Sequence, residues 1–313
     1  LFSAVLQGGT GMSLPRADIA VIEMDEAYAA KIGAPLKPRL SVITNVMDEQ
    51  LDRFRDSEFV LNSLRTLAQS SKRFIANGND PSLAELESET ASFFGFNKQL
   101  SSDEAAPRYS ISNRGPVEKL DYEVSSLEPV TVNSPNGRIK LSLPDGGMHM
   151  TLNFVAALAA AEDLVTGLDL KKLEDTVTSL EGVYGRDTVE TLGGVRSRIL
   201  LVQNRESFRL NLLRAIEAEQ VFMGIGTDVK DPSWLWGVDF RRLQRVDILT
   251  GHHAIPMKYR LQSCGVDVGE TQTDFEIALQ EFIRRKPPKS GERVLIVTAD
   301  TFRRMKRALE LSS

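Results

Sequence analysis

The sequence predicts an α/β fold of mostly parallel sheets with helices on both faces, arranged as two units. Three observations carry this. Short runs rich in β-branched residues, Ile19–Ile22 and Leu40–Ile43, break off into polar side chains: Glu23, Asp25 and Glu26 after the first, Thr44 and Asn45 after the second. Continuous apolar runs of this length suit strands covered on both faces. The last third alternates helical and strand patterns, the order expected of parallel units. The 313 residues, 42% hydrophobic and 26% charged, suffice for two domains of ~100–200 residues each.

A short helical segment separates the first two predicted strands. Beyond Arg53 a helix is expected over roughly 54–70, with Phe59, Leu61, Leu64 and Leu67 as its apolar stripe. Phe74–Ala76 reads as a third strand, ending in the turn Asn77-Gly78-Asn79-Asp80-Pro81, whose residues favour a turn and a proline-led helix start. Phe93–Phe96 is the fourth. Residues 97–147 are polar, with alternating segments Leu120–Val124 and Gly137–Leu143. Asn136-Gly137 between such segments signals a hairpin, so a β-rich insertion is expected here. Gly147–Asn153 opens an alanine-rich helix that continues through Phe154–Ala161. Arg198–Val202 is a buried strand at the junction of the units, placed at 1–200 and 201–313. The second unit is expected to hold helices at 206–219, 238–245, 256–264 and 272–285, and strands at 220–225, 246–249 and 293–297.

Composition narrows the function. A net charge of −5 argues against nucleic acid as the main partner, which wants a basic face. No apolar run approaches the ~20 residues of a membrane span, and Phe2–Leu6 is too short for a signal-peptide core. The single cysteine, Cys264, excludes an internal disulfide framework and fits a reducing, cytoplasmic compartment. It reads as a small hydrophobe rather than a reactive thiol. Gln7-Gly8-Gly9-Thr10-Gly11 is glycine-rich but lacks the lysine of a phosphate-binding loop.

Polar strand ends are where α/β sheets bind ligands. Glu23 with Thr44 and Asn45 could make a site for a hard cation and phosphate; Glu23 and Asp25 could equally cap the next helix. Thr44-Asn45 followed by Gln50-Leu51-Asp52-Arg53 resembles the central ATPase domain of the Mur ligases, and the Gln50 variant resembles the MurT type within that family. Further along, Asn77-Gly78-Asn79-Asp80-Pro81 is similar to the family's Asn-x-Asp-Asp-Pro turn, and Gly147 to Asn153 to its Gly-x-x-Asn-x-x-Asn helix. Tyr184-Gly185-Arg186 with Glu190 resembles its Phe-Gly-Arg-x-Glu turn. The loop Asp231-Pro232-Ser233-Trp234-Leu235-Trp236 resembles the Trp loop of the MurT-type C-terminal domain. The chain departs from the pattern at Asp48, Glu49, Asn79, Met150, Gln203 and Gly237. The polar insertion has no cysteine, so the four-cysteine zinc ribbon of many MurT-type chains is impossible here.

The resemblance implies a Mur-type ATPase domain, incomplete at its N-terminus and missing an upstream phosphate loop, followed by a Rossmann-like domain. It implies an ATP- and Mg²⁺-dependent ligase that activates the α-carboxyl of D-isoglutamate in lipid II and amidates it with ammonia from a GatD-like glutaminase, in a heterodimer. The lipid-linked substrate would bring it to the inner membrane surface. Glu23 would be a catalytic metal ligand, with Thr44, Asn45 and Gln50 in the phosphate and metal region. Asn77, Asp80, Asn153 and Arg186 would line the nucleotide. Asp231, ahead of Asp239 in the same loop, would complete the partner's Cys-His pair. Residue chemistry leaves other roles open: Arg186 as a surface partner of Asp187 or Glu190, Asp231 as a helix cap before Pro232, His149 as a satisfied loop histidine. Two other functions fit the same motifs, a non-catalytic partner-binding protein on this scaffold and a ligase that adds an amino acid as folylpolyglutamate synthetase does.

Overall fold

The computed structural model describes residues 18–46, 57–86, 88–109, 115–143, 147–179, 186–289 and 292–309. Two six-stranded sheets organise them. The first comprises β1 (Leu40–Ile43), β2 (Arg73–Asn77), β3 (Ala91–Phe96), β4 (Tyr122–Leu127), β5 (Val130–Ser134) and β6 (Gly137–Leu141), neighbours in that order. β1 to β4 are parallel; β4, β5 and β6 are antiparallel. Side chains alternate between two faces. Phe74, Ala76 and Phe93 pack under helix α1 (Ser57–Ser70), while Ile75, Phe94 and Phe96 pack under α2 (Gly147–Leu164). Consecutive buried apolar residues, Phe74–Ala76 in β2 and Phe93–Phe94 in β3, are the outcome of helices on both faces.

The second sheet comprises β7 (Arg186–Leu192), β8 (Val195–Leu201), β9 (Gln220–Gly224), β10 (Arg245–Thr250), β11 (Asp267–Gln272) and β12 (Arg293–Val297). Their spatial order is β11-β10-β9-β12-β8-β7, parallel except for the β7–β8 hairpin. Val221, Met223 and Ile296 face α4 (Arg205–Ala215) and α5 (Ala254–Ser263), reached after α3 (Leu170–Ser179) in chain order; Phe222, Leu295 and Val297 face α6 (Phe275–Arg284) and α7 (Ala299–Leu309). β12 is buried at all five positions.

Several expectations need correction. Ile19–Ile22 is not a strand: it is exposed, Val21 at 92%, and has no strand partner among the described residues. A short β-branched run becomes a strand only where a sheet edge takes up its backbone groups. β1, an edge strand, is only partly covered on the α2 face, where Leu40 packs against the core and Val42 is 40% exposed. On α1, Phe59 is half-exposed and Val60, Ser63, Leu64 and Ala68 are the buried positions. Residues 120–141 are no appended hairpin but three strands that extend the first sheet, although Asn136-Gly137 does turn β5 into β6 as expected. Residues 186–200, expected in the first unit, supply two strands of the second. No helix forms at 238–245: Val238, Phe240 and Leu243 are buried from a turn held by Arg241 N donating to Asp239 Oδ1 at 3.1 Å. Their two- and three-residue spacing makes no continuous helical stripe. β11 and α7 lay outside the expected elements.

Candidate functional site

The carboxyl ends of β1, β2 and β3 are shaped by side chains that replace ladder hydrogen bonds. Asp80 is fully buried. Its Oδ2 accepts from Val46 N at 2.6 Å and its Oδ1 from Ser82 N at 2.9 Å, tying the exit of β1 to the turn after β2. Burial pushes this carboxyl up to about 6, against the downward pull of the Val46, Ser82 and Leu83 amides. Asn79 extends β3 in the same manner: its Nδ2 donates to Phe96 O at 2.9 Å and its Oδ1 accepts from Phe96 N at 2.6 Å. Gly95 permits this approach, since a Cβ there would stand 2.6 Å from Asn79 Oδ1. Asn77, 2% exposed, accepts from Asn79 N at 3.0 Å and donates to the Tyr109 hydroxyl at 2.7 Å.

The exits of β1 and β2 open into a cleft of about 440 Å³ between the two units, within the usual size range of ligand pockets. Thr44, Asn45 and Asn77 form one wall. His149, Leu152 and Asn153 of α2 also line it, because positions three and four apart share a helix face. The second unit supplies Gln203 from the exit of β8, and Asn204, Glu206 and Ser207 from the start of α4. α4 begins with a reciprocal cap: Ser207 N donates to Asn204 Oδ1 at 2.7 Å and Asn204 N to Ser207 Oγ at 3.0 Å. Asn211 Nδ2 donates to Leu201 O at 2.9 Å, closing the last turn of β8.

The structure brings together Glu23, Thr44, Asn45, Asn77 and Asn153 of the residues expected from sequence, and all five line the cleft. Glu23 does so from an exposed loop, not from a strand end. Asp80 is not on the wall; its carboxylate is used internally, so its part is to set the positions of Thr44 to Val46. Gln50, Asp48, Glu49 and the glycine-rich segment 7–11 lie outside the described residues, as does the side chain of Arg186. The β7 backbone bulges at Asp187, which has φ 59° and a carboxylate bonded to Arg198 and Arg214. Asp231 is half-buried and does not line the cleft; its Oδ1 accepts from Ser233 N at 2.9 Å at the start of the one-turn helix Ser233–Trp236. That hydrogen bond lowers its pKa. Asp239 is exposed, and Arg241 holds its pKa low. Trp234 packs edge-on to Phe208 at 6.2 Å, while Trp236 is 46% exposed. Cys264 is half-buried against the core of the second unit.

Sequence inspection missed Tyr109, Asp187, Asn204 and Glu206 as wall residues. The available signals were slight: a tyrosine after Pro107-Arg108 in a polar stretch, and a helix-start pattern at Asn204.

Amides, hydroxyls and a histidine suit the base and sugar of a nucleotide, and Glu23 and Glu26 are oxygen donors of the kind a divalent cation takes. The described walls contain no lysine or arginine. The phosphates of a bound nucleotide would therefore be neutralised by a cation and by groups beyond these walls. Among the described residues no three acidic, histidine or cysteine side chains converge as a ready metal cage, and no helix is long and apolar enough to cross a membrane.

Residues 10–161 match the Mur ligase middle domain. The chain is 23% identical to the subunit MurT of a lipid II isoglutaminyl synthase (glutamine-hydrolyzing) from Staphylococcus aureus, over 82% of this chain and 67% of that one. Among solved structures, a pseudomurein peptide ligase type C from Methanothermus fervidus superposes with a TM-score of 0.66 at 14% identity, covering 87% of this chain and 63% of that one. A bifunctional folylpolyglutamate synthase/dihydrofolate synthase from Yersinia pestis, solved with AMPPNP and Mn ion, superposes at 0.58 with 15% identity, covering 87% of this chain and 62% of that one. The chain thus spans under two thirds of the length of these structural relatives. The match to the Mur ligase middle domain is confined to residues 10–161, and over 87% of its length the chain has the fold of the Mur-type ligase it superposes on.

Proposed function

We propose that the protein is an ATP-dependent carbon–nitrogen ligase of the MurT type, amidating a carboxylate of a peptidoglycan precursor. The observation that carries this is the cleft: the polar exits of β1 and β2 face the start of α4 across it, and the similarity to MurT runs through both of its walls. Bound Mg²⁺–ATP would supply the phosphoryl group that activates the carboxylate. Asn77, Asn153 and Arg186 would hold the nucleotide, Thr44, Asn45 and Gln50 would border the phosphates, and Glu23 would ligand the metal. Phe94, Leu152 and Leu210 give the cleft an apolar patch beside its polar groups. The acceptor is the D-glutamate α-carboxyl of lipid II, which places the reaction at the membrane surface. Ammonia would come from a GatD-like glutaminase bound to the second unit, with Asp231 orienting the histidine of that partner's Cys-His pair.

The test supplies the protein from its whole reading frame with Mg²⁺–ATP and lipid II, and with ammonia, glutamine plus glutaminase, or free amino acids. Amide formation with ammonia is expected. Product only with an amino acid would replace amidation by amino-acid ligation, and no ADP with any acceptor would make the protein a binding scaffold. In the same assay Glu23→Ala is expected to abolish turnover with the fold intact; unchanged turnover would make Glu23 a helix cap.

A further inference from the structure

One stretch of the first unit is gripped by the second. Arg209 of α4 donates through Nη1 to Glu104 O at 2.6 Å and through Nη2 to Ala106 O at 2.7 Å. The same guanidinium is forked onto Glu206, Nε to Oε2 at 2.9 Å and Nη2 to Oε1 at 2.6 Å. Glu206 Oε1 in turn accepts from Arg108 N at 2.7 Å. Arg242 adds an ion pair to Glu104. One Arg–Glu pair, its side chains 18% and 13% exposed, thus reads three backbone groups of residues 104–108 at once. The next residue, Tyr109, accepts from Asn77 Nδ2 in the cleft. Arg209 does not line the cleft, whereas Glu206, Tyr109 and Asn77 do.

We infer that Arg209 is a positioning residue that transmits the placement of the second unit to the nucleotide end of the cleft, through the strap 104–109 and the Tyr109–Asn77 hydrogen bond. The inference rests on the nucleotide-binding reading above. A guanidinium is required: its planar fork meets two carbonyls and a carboxylate together, which the point charge of an ammonium cannot do. Arg209 and Tyr109 therefore act in series, and removing either should release the same constraint on Asn77.

Calorimetry of Mg²⁺–ATP binding to the full-length protein and to Arg209→Ala, Arg209→Lys, Tyr109→Phe and the Arg209→Ala/Tyr109→Phe double variant tests it. Each single variant should bind about tenfold more weakly, the lysine variant should not rescue, and the double variant should be no weaker than the singles. Wild-type affinity in Arg209→Ala, or losses that add in the double variant, would overturn the inference. Native-state hydrogen exchange separates it from the functional reading: the Arg108 amide should be protected in the wild type and exchange faster in Arg209→Ala with no nucleotide present. Unchanged exchange there overturns the strap. No nucleotide binding by the wild type, with protection of Arg108 lost in Arg209→Ala, overturns the nucleotide reading and leaves the strap a purely structural clamp.

Discussion

Both sheets end their parallel strands in polar residues, yet the two ends are used differently. In the first sheet Thr44, Asn45 and Asn77 face an open cleft. In the second, the exit of β8 borders the same cleft through Gln203, but the exits of β9 and β12 close on one another. Asp228 accepts from Thr298 Oγ1 at 2.8 Å and from Ala299 N at 2.9 Å, Gly226 N donates to Thr298 Oγ1 at 2.9 Å, and Thr301 Oγ1 donates to Gly224 O at 2.9 Å. The cores differ as well. β12 is buried throughout, whereas β1 is a half-covered edge strand. A polar strand end therefore marks a candidate site only where it opens onto a cleft.

The sharpest way to break the comparison is to weaken the closed sheet from its far end. Arg293 is fully buried at the start of β12, with Nε donating to Gln220 Oε1 at 2.6 Å and Nη1 to Ile283 O at 3.1 Å beside the last turn of α6. Arg293→Ala should cost about 3–5 kcal/mol, because it leaves buried acceptors unpaired around a void. Denaturant unfolding measures this; a loss under about 1 kcal/mol would show that the second sheet does not depend on it.

A smaller effect distinguishes the open end of the first sheet. Asp80 has its folded pKa raised, to about 6, above the ordinary carboxylate value. A raised carboxyl binds its proton more tightly in the folded state, so its contribution to stability is greatest below the unfolded pKa and is lost as pH rises to about 6. Relative to Asp80→Asn, the wild type should gain up to about 3 kcal/mol between pH ~6 and pH ~4. Parallel stability–pH curves for the two proteins would contradict this.

How legible these features were follows from where their contacts lie. β2, β3 and β12 are uninterrupted apolar runs because helices cover both faces, so pattern alone finds them. β11 reads Asp-Val-Gly-Glu-Thr-Gln: it is an edge strand paired only with β10, and little of it is buried. Ile19–Ile22 has the composition of a strand without a sheet edge to join. Within the site, Asn77 was visible because its turn chemistry is local. Tyr109 and Glu206 were not, because Arg209 reaches a carbonyl 103 positions away, and no periodicity records such a contact.

Asp228→Ala should cost about 1–2 kcal/mol through loss of the cap on α7, and leave nucleotide binding unchanged. Differential scanning calorimetry beside the binding assay checks both halves. The smallest effect on the fold is expected of Asp231→Asn, within about 0.5 kcal/mol, since asparagine caps about as well as aspartate. Glutamine-driven amidation should nevertheless fall while ammonia-driven amidation persists. Full glutamine-driven activity would reduce Asp231 to the cap that its bond to Ser233 N already describes.

The difference between the two strand ends is tested most directly by Mg²⁺–ATP affinity, measured in parallel for the wild type, Asn77→Ala and Asp228→Ala. Binding should weaken about tenfold or more in Asn77→Ala, the equivalent of one buried hydrogen-bonding group, and match the wild type in Asp228→Ala. Equal affinity in Asn77→Ala, or an equal loss in Asp228→Ala, would contradict the assignment of the first sheet's open end as the ligand site.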